Sequence, residues 1–164
     1  MATAHEYPVV IGFDGSPSAE RALCDTAALL EGHAALIVVV WDPNLPFELL
    51  QHSVTLAPID VRTGLEINKV EQEQAQRLAE QGAELARERG LEAEGLAVAD
   101  DITVAETLVR LARERHASAI AIGLHGHRSF RELVMGGTAR DVIRSSPCLV
   151  ILRGPGPKEK KKKT

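Results

Sequence analysis

Tyr7-Pro8-Val9-Val10-Ile11-Gly12-Phe13-Asp14-Gly15-Ser16-Pro17-Ser18 is a short apolar run that breaks on a turn. The run reads as a buried strand, and the turn after it can start a helix. Ser16 suits the N-cap, where a side-chain oxygen accepts an orphan backbone N–H, and Pro17 suits the first helical position, where no N–H is needed. Beyond the turn, Ala19, Ala22, Leu23, Thr26, Ala27 and Leu30 recur at helical spacing, and Gly32 stands where that helix should end. The segment is therefore a strand, a tight turn and a helix. The next run, Ala34 to Trp41, is continuously apolar and β-branched, as a central strand covered on both faces requires.

The rest of the chain repeats this alternation. Asp42 to Arg62 holds Pro43, Pro46 and Pro58 without a clear period and reads as a variable loop. Ala75, Leu78, Ala79, Gly82, Leu85 and Ala86 mark a long amphipathic helix from about Leu65 to Arg89, with Gly90 at its C-terminal cap. Leu91 to Val98 alternates apolar with acidic or small residues, which places it near a sheet edge. Thr103-Val-Ala-Glu106 matches a capping box, and Ala105, Leu108, Val109 and Ala112 form the buried stripe of the helix it opens. A strand over Ala117 to Ile122, a Gly-rich stretch from Gly123 to Gly137, a helix from Thr138 to Arg144 and a strand over Cys148 to Leu152 complete the order. This order predicts an α/β fold: a doubly wound, Rossmann-like five-stranded parallel sheet with helices on both faces and right-handed crossovers. Residues 1–153 form the expected domain, and Gly154-Pro-Gly-Pro157 leads into a Lys-rich tail ending at Thr164 that is expected to be disordered. A ligand should bind beyond the carboxyl ends of the strands where the strand order reverses, between the segments that follow the first and fourth strands.

Composition narrows the function. A chain of 164 residues supplies one ordinary core, and with aromatics at only 3% that core must be built from Ala, Val, Leu and Ile. A formal charge of −4 argues against nucleic acid as a partner, since neutralising many phosphates calls for a basic surface. The longest apolar run, Ala34 to Trp41, is too short to span a bilayer as a helix, so no membrane partner is expected. Cys24 and Cys148 lie far apart without CxxC spacing and read as small packing residues with reduced thiols, and no apolar secretory segment opens the sequence. The expected location is the cytoplasm.

Chemistry concentrates in Gly123-Leu-His125-Gly126 and Gly136-Gly137-Thr138, glycines separated by two and then by nine residues. Glycines at a strand end let backbone approach a ligand, and a helix opening at Gly136-Gly137-Thr138 offers free N–H groups and a favourable dipole to phosphate. His125 and His127 sit two apart in this loop, but no Cys or carboxylate completes a ligand set at diagnostic spacing, and His5, His33, His52 and His116 are scattered. No metal site is expected. His125 reads as lining the phosphate loop.

Four stretches together resemble the universal stress protein family, in particular its nucleotide-binding branch with the pattern G-x2-G-x9-G-[S/T]. They are Val9-Val-Ile-Gly-Phe-Asp-Gly-Ser16, Val38-Val-Val-Trp-Asp42, the Gly-rich stretch, and Arg144-Ser-Ser-Pro-Cys-Leu-Val-Ile-Leu152. The resemblance implies a nucleotide site built from Asp14, Gly15, Ser16, Val40, Ile122, Gly123, His125, Gly126, Gly136, Gly137, Thr138 and Ala139. Asp14 would accept from the ribose, Val40 would present backbone groups to the adenine edge, and Gly123 would lie under the ribose. Gly126 and Gly136 would let the loop wrap the phosphates, which Gly137, Thr138 and Ala139 would meet with N–H groups or hydroxyls. Where the pattern has Ser or Thr after its third glycine, this chain has Gly137, and Thr138 alone retains a hydroxyl. The implied ligand is ATP or AMP, the triphosphate with Mg, and the implied role is regulatory binding with little or no turnover. A homodimer through the last strand is implied too. Two other readings stand beside it: a nucleotide-free interaction module of the same fold, and a nucleotide-activating enzyme of the related adenine-hydrolase folds. The latter usually carry a Ser-Gly-Gly loop after the first strand, which Phe13-Asp14-Gly15-Ser16 does not match.

Overall fold

The structure, a computed structural model, describes residues 7–43, 61–100, 102–124 and 136–154. Its elements in chain order are β1 (Val9–Gly12), α1 (Pro17–Leu29), β2 (Ala34–Trp41), α2 (Val61–Glu88), β3 (Glu92–Ala99), α3 (Val104–Glu114), β4 (Ala119–Gly123), α4 (Gly137–Ser145) and β5 (Leu149–Arg153). The strands form one parallel sheet in the order β3-β2-β1-β4-β5. The chain winds outward from β1 through β2 to β3, then crosses back to β4 and winds the other way to β5. The doubly wound fold expected from the sequence is the fold observed.

Both faces of the sheet are covered, and alternate residues of each strand serve opposite layers. Val9, Ile11, Phe13, Ala35, Ile37, Val39, Ala119 and Ala121 pack with α1 and α2. Val10, Leu36, Val38, Ile120 and Ile122 pack with α3 and α4. Two-sided burial explains why these strands read as unbroken apolar runs. The helices sit low on the sheet because their contact residues are small, as Ala75, Ala79, Ala83 and Ala86 of α2 show. Trp41 ends β2 half-buried against the α1–α2 layer.

Helix starts follow the local chemistry. Ser16 caps α1, its Oγ accepting the Ala19 N–H at 3.2 Å. Thr103 caps α3, its Oγ1 accepting the Glu106 N–H at 3.2 Å and donating to Glu106 Oε2 at 3.3 Å. The Glu106 carboxylate is thus met by the Thr103 hydroxyl, a variation on the reciprocal box in which it would reach the cap's N–H.

Element limits differ from the sequence reading by one to a few residues: β1 is Val9–Gly12 within the expected run from Tyr7 to Phe13, and β3 is Glu92–Ala99 instead of Leu91 to Val98. The α2 helix begins at Val61, and α4 gains a residue at each end. The β4 strand begins at Ala119 instead of Ala117, because the Ala117 N–H still donates to Ala112 O at 2.8 Å and closes the end of α3. The β5 strand begins at Leu149 and runs to Arg153. Cys148, read as the start of a buried strand, is a half-buried turn residue: its N–H donates to Ser146 Oγ, and its carbonyl accepts from the same hydroxyl at 2.9 Å. Most of the variable loop and residues 155–164, which include the charged part of the tail, lie outside the described residues. No helix among the described residues is long and apolar enough to cross a membrane.

Candidate functional site

The strand order reverses at β1, which has β2 on one side and β4 on the other. The register makes this a notch. Gly12, the last residue of β1, pairs with Val38, so Val39, Val40 and Trp41 extend beyond the end of β1. In a parallel strand the N–H and C=O of one residue point to the same side, and successive residues alternate. The Phe13 N–H donates to Val38 O at 2.9 Å, so Val38 faces β1. The Asp100 N–H donates to Trp41 O at 2.7 Å, so Trp41 faces β3. Val40 shares the direction of Val38, and its backbone groups therefore point into the notch where β1 has stopped. They are a donor and an acceptor on a strand end, the pair that the edge of a flat heterocycle can meet.

The opposite wall is the end of β4, where two helix starts converge from opposite faces. Gly123 lies against the start of α1: a Cβ placed on it would stand 2.7 Å from the Ser18 carbonyl carbon and 2.9 Å from the Ala19 nitrogen. Close packing alone therefore requires a glycine here. From the other face, the Gly136 N–H donates to Leu124 O at 3.3 Å, and the Leu124 N–H donates to Arg153 O at 2.9 Å. Leu124 thus joins the start of α4 to the ends of β4 and β5.

The two helix starts differ in what they leave available. In α1, Pro17 has no N–H and Ala19 gives its N–H to Ser16 Oγ. In α4 the N-cap is Gly136, and no side chain among the described residues caps the helix. The first-turn N–H groups of Gly137, Thr138 and Ala139 are thus the better placed to receive an anion. The space is there too: among the described residues, a Cβ on Gly137 would meet nothing within 4 Å. Ala139 is buried at 2%, so its methyl belongs to the core and only its N–H can face outward.

Asp14 is exposed on the turn after β1, and its Oδ1 accepts the Ser16 N–H at 2.9 Å. The turn passes through Gly15 at φ +73°, a conformation that side chains disfavour. The Ser16 hydroxyl is buried and serves the cap of α1. Ile122 is also buried, its side chain within the α3–α4 layer, so backbone is what it can offer a ligand. Of the residues singled out from sequence, Asp14, Gly15, Ser16, Val40, Ile122, Gly123, Gly136, Gly137, Thr138 and Ala139 all belong to strand ends, turns and helix starts at the carboxyl side of the sheet. His125, Gly126 and the rest of the loop between Leu124 and Gly136 lie outside the described residues. Ser18 and Leu124, which fit the two helix starts to β4, were not singled out. A small residue in the first turn after Pro17 is the signal for Ser18; Leu124 joins the helix start to β4 through its backbone, which leaves no signal, while its side chain packs against the α3–α4 layer.

No three His, Cys, Asp or Glu residues come together as a metal site among the described residues. The described groups at the notch are instead backbone donors and acceptors with the exposed carboxylate of Asp14, an arrangement suited to holding a small polar ligand.

Fold and notch define a doubly wound α/β protein with a crevice at the switch point of the sheet. The sequence profile of the universal stress protein family matches residues 7–152, and the chain belongs to that family. Solved structures agree in fold. The universal stress protein UspA from Lactobacillus plantarum superposes with a TM-score of 0.67 at 18% identity, over 92% of this chain and 99% of that one. A universal stress protein from Archaeoglobus fulgidus, solved in complex with dAMP, gives 0.60 at 24% identity over 91% and 98%. A family member from Arabidopsis thaliana with AMP bound gives 0.60 at 15% identity over 95% and 96%. No curated protein sequence matches the chain.

Proposed function

We propose that this protein binds an adenine nucleotide, AMP or ATP, in the notch beyond β1, and acts as a regulatory module with little or no turnover. The observation that carries the proposal is the overhang of β2, which turns the Val40 backbone into the notch opposite the uncapped start of α4. Adenine would lie along Val40, with its edge taking the strand's donor and acceptor. The ribose would lie across the end of β1, where Asp14 can accept from a hydroxyl. The phosphates would meet the N–H groups of Gly137, Thr138 and Ala139, with Mg accompanying a triphosphate. The Archaeoglobus and Arabidopsis relatives that carry dAMP and AMP support the same ligand class.

Calorimetry on the full chain with AMP, ATP with Mg, and adenosine tests the proposal. Binding of both nucleotides, tighter than adenosine, is expected, and ATP recovered intact after prolonged incubation would agree with little or no turnover. No heat with either nucleotide up to millimolar concentration would remove the nucleotide reading and leave a nucleotide-free interaction module.

A further inference from the structure

The outer edge of β3 ends the sheet, and its backbone groups are not left bare. The Glu92 N–H donates to His33 O at 3.0 Å and the Asp100 N–H to Trp41 O, so the even-numbered residues of β3 face β2. Ala93, Gly95 and Ala97 therefore turn their backbone groups outward. An open row of this kind is a template for a further strand. Here α2 reaches over it. Gln76 Nε2 donates to Gly95 O at 3.1 Å, and the Ala97 N–H donates to Gln76 Oε1 at 3.1 Å. Further along, Arg87 Nη1 donates to Ala93 O at 2.8 Å, while its Nη2 is held by Glu80 Oε1.

The Gln76 pair has a specific form. One amide donates to the carbonyl before Leu96 and accepts from the N–H after it, the same two bonds that one residue of a parallel neighbouring strand would make there. The packing beneath makes this reach possible. Ala93 and Ala97 pack toward the α1–α2 layer and are small, and at Gly95 the helix backbone descends so far that a Cβ would stand 2.6 Å from the Ala79 carbonyl. With α2 this low, Gln76, less than one turn before Ala79, drops its side chain over the strand edge.

We propose that Gln76 stands in for one residue of a sixth strand and keeps the β3 edge closed to a second copy of this chain. A second copy is the occupant that fits when the edge opens, because a row of small residues with equal donors and acceptors is complementary to itself about a two-fold axis. Gln76 is exposed on a long helix, so Gln76→Ala is compatible with folding.

The test compares wild type with Gln76→Ala and Gln76→Lys as full chains, using amide exchange at Ala97 by NMR and sedimentation velocity over a concentration series. In Gln76→Ala the Ala97 amide should exchange about five- to tenfold faster, the worth of one net hydrogen bond, and a species of twice the wild-type mass should grow with concentration. In Gln76→Lys exchange should rise equally without the added mass, because a lysine on the edge repels a second strand. Unchanged exchange at Ala97 in Gln76→Ala, or faster exchange with unchanged mass, would overturn the proposal. Repeating the series with Leu149→Lys, which disables the opposite edge, separates the two ends of the sheet. If Leu149→Lys alone leaves the mass unchanged, pairing through β5 fails while the result at Gln76 still stands.

Discussion

Gly123 and Gly137 belong to one Gly-rich stretch and do different things. At Gly123 a side chain would collide with backbone atoms at the start of α1, and backbone cannot rotate aside. Gly123→Ala should therefore cost about 3 kcal/mol in denaturant unfolding, as overpacking of a tight contact does. At Gly137 a side chain meets none of the described residues, and the position opens a helix where serine is well tolerated. Gly137→Ser should leave stability nearly unchanged and tighten ATP by roughly tenfold or more, the worth of a hydrogen bond to a charged group, with adenosine unaffected. Equal effects on ATP and adenosine in calorimetry would remove phosphate from this helix start. Sequence spacing marks both glycines and cannot separate them. Only the approach of Ser18 and Ala19 in α1 to Gly123 in β4, segments far apart in the sequence, shows which glycine serves the fold.

The helices were legible because their starts are written in adjacent residues. Ser16-Pro17 and Thr103-Val-Ala-Glu106 predict caps from side-chain reach alone, and the structure has both. Thr103→Ala should lower stability by about 1 kcal/mol, read as a shift of the unfolding midpoint, because it removes the acceptor of the Glu106 N–H. The strands were legible as apolar runs, but their exact limits were not. Whether Ala117 continues α3 or begins β4 depends on its hydrogen bond to Ala112, and apolarity is common to both outcomes. The direction of Val40, implied only by the family resemblance, is not written in its neighbouring residues either, since it follows from the unequal lengths of β1 and β2 and the register between them.

At the scale of the molecule the two sheet edges are unlike. The β3 edge is met by Gln76 and Arg87, whereas β5 carries Leu149 at 65% exposure. An exposed apolar edge strand invites pairing, and an isologous contact about a two-fold axis would bury both copies at once. Leu149→Lys should convert a dimer to a monomer in sedimentation without loss of secondary structure, because Leu149 has little contact to lose. A wild-type monomer at tens of micromolar would count against this interface. The scarcity of aromatic residues has an optical consequence at the same scale. The sequence holds one tryptophan, Trp41, next to Val40 on the overhanging end of β2. To ultraviolet light near 300 nm the molecule is thus a single lamp mounted beside the notch, and a nucleotide that stacks or hydrogen-bonds there should change its emission without any label. The titration can be read in the wild-type protein, and Trp41→Phe darkens the signal while calorimetry continues to report the binding.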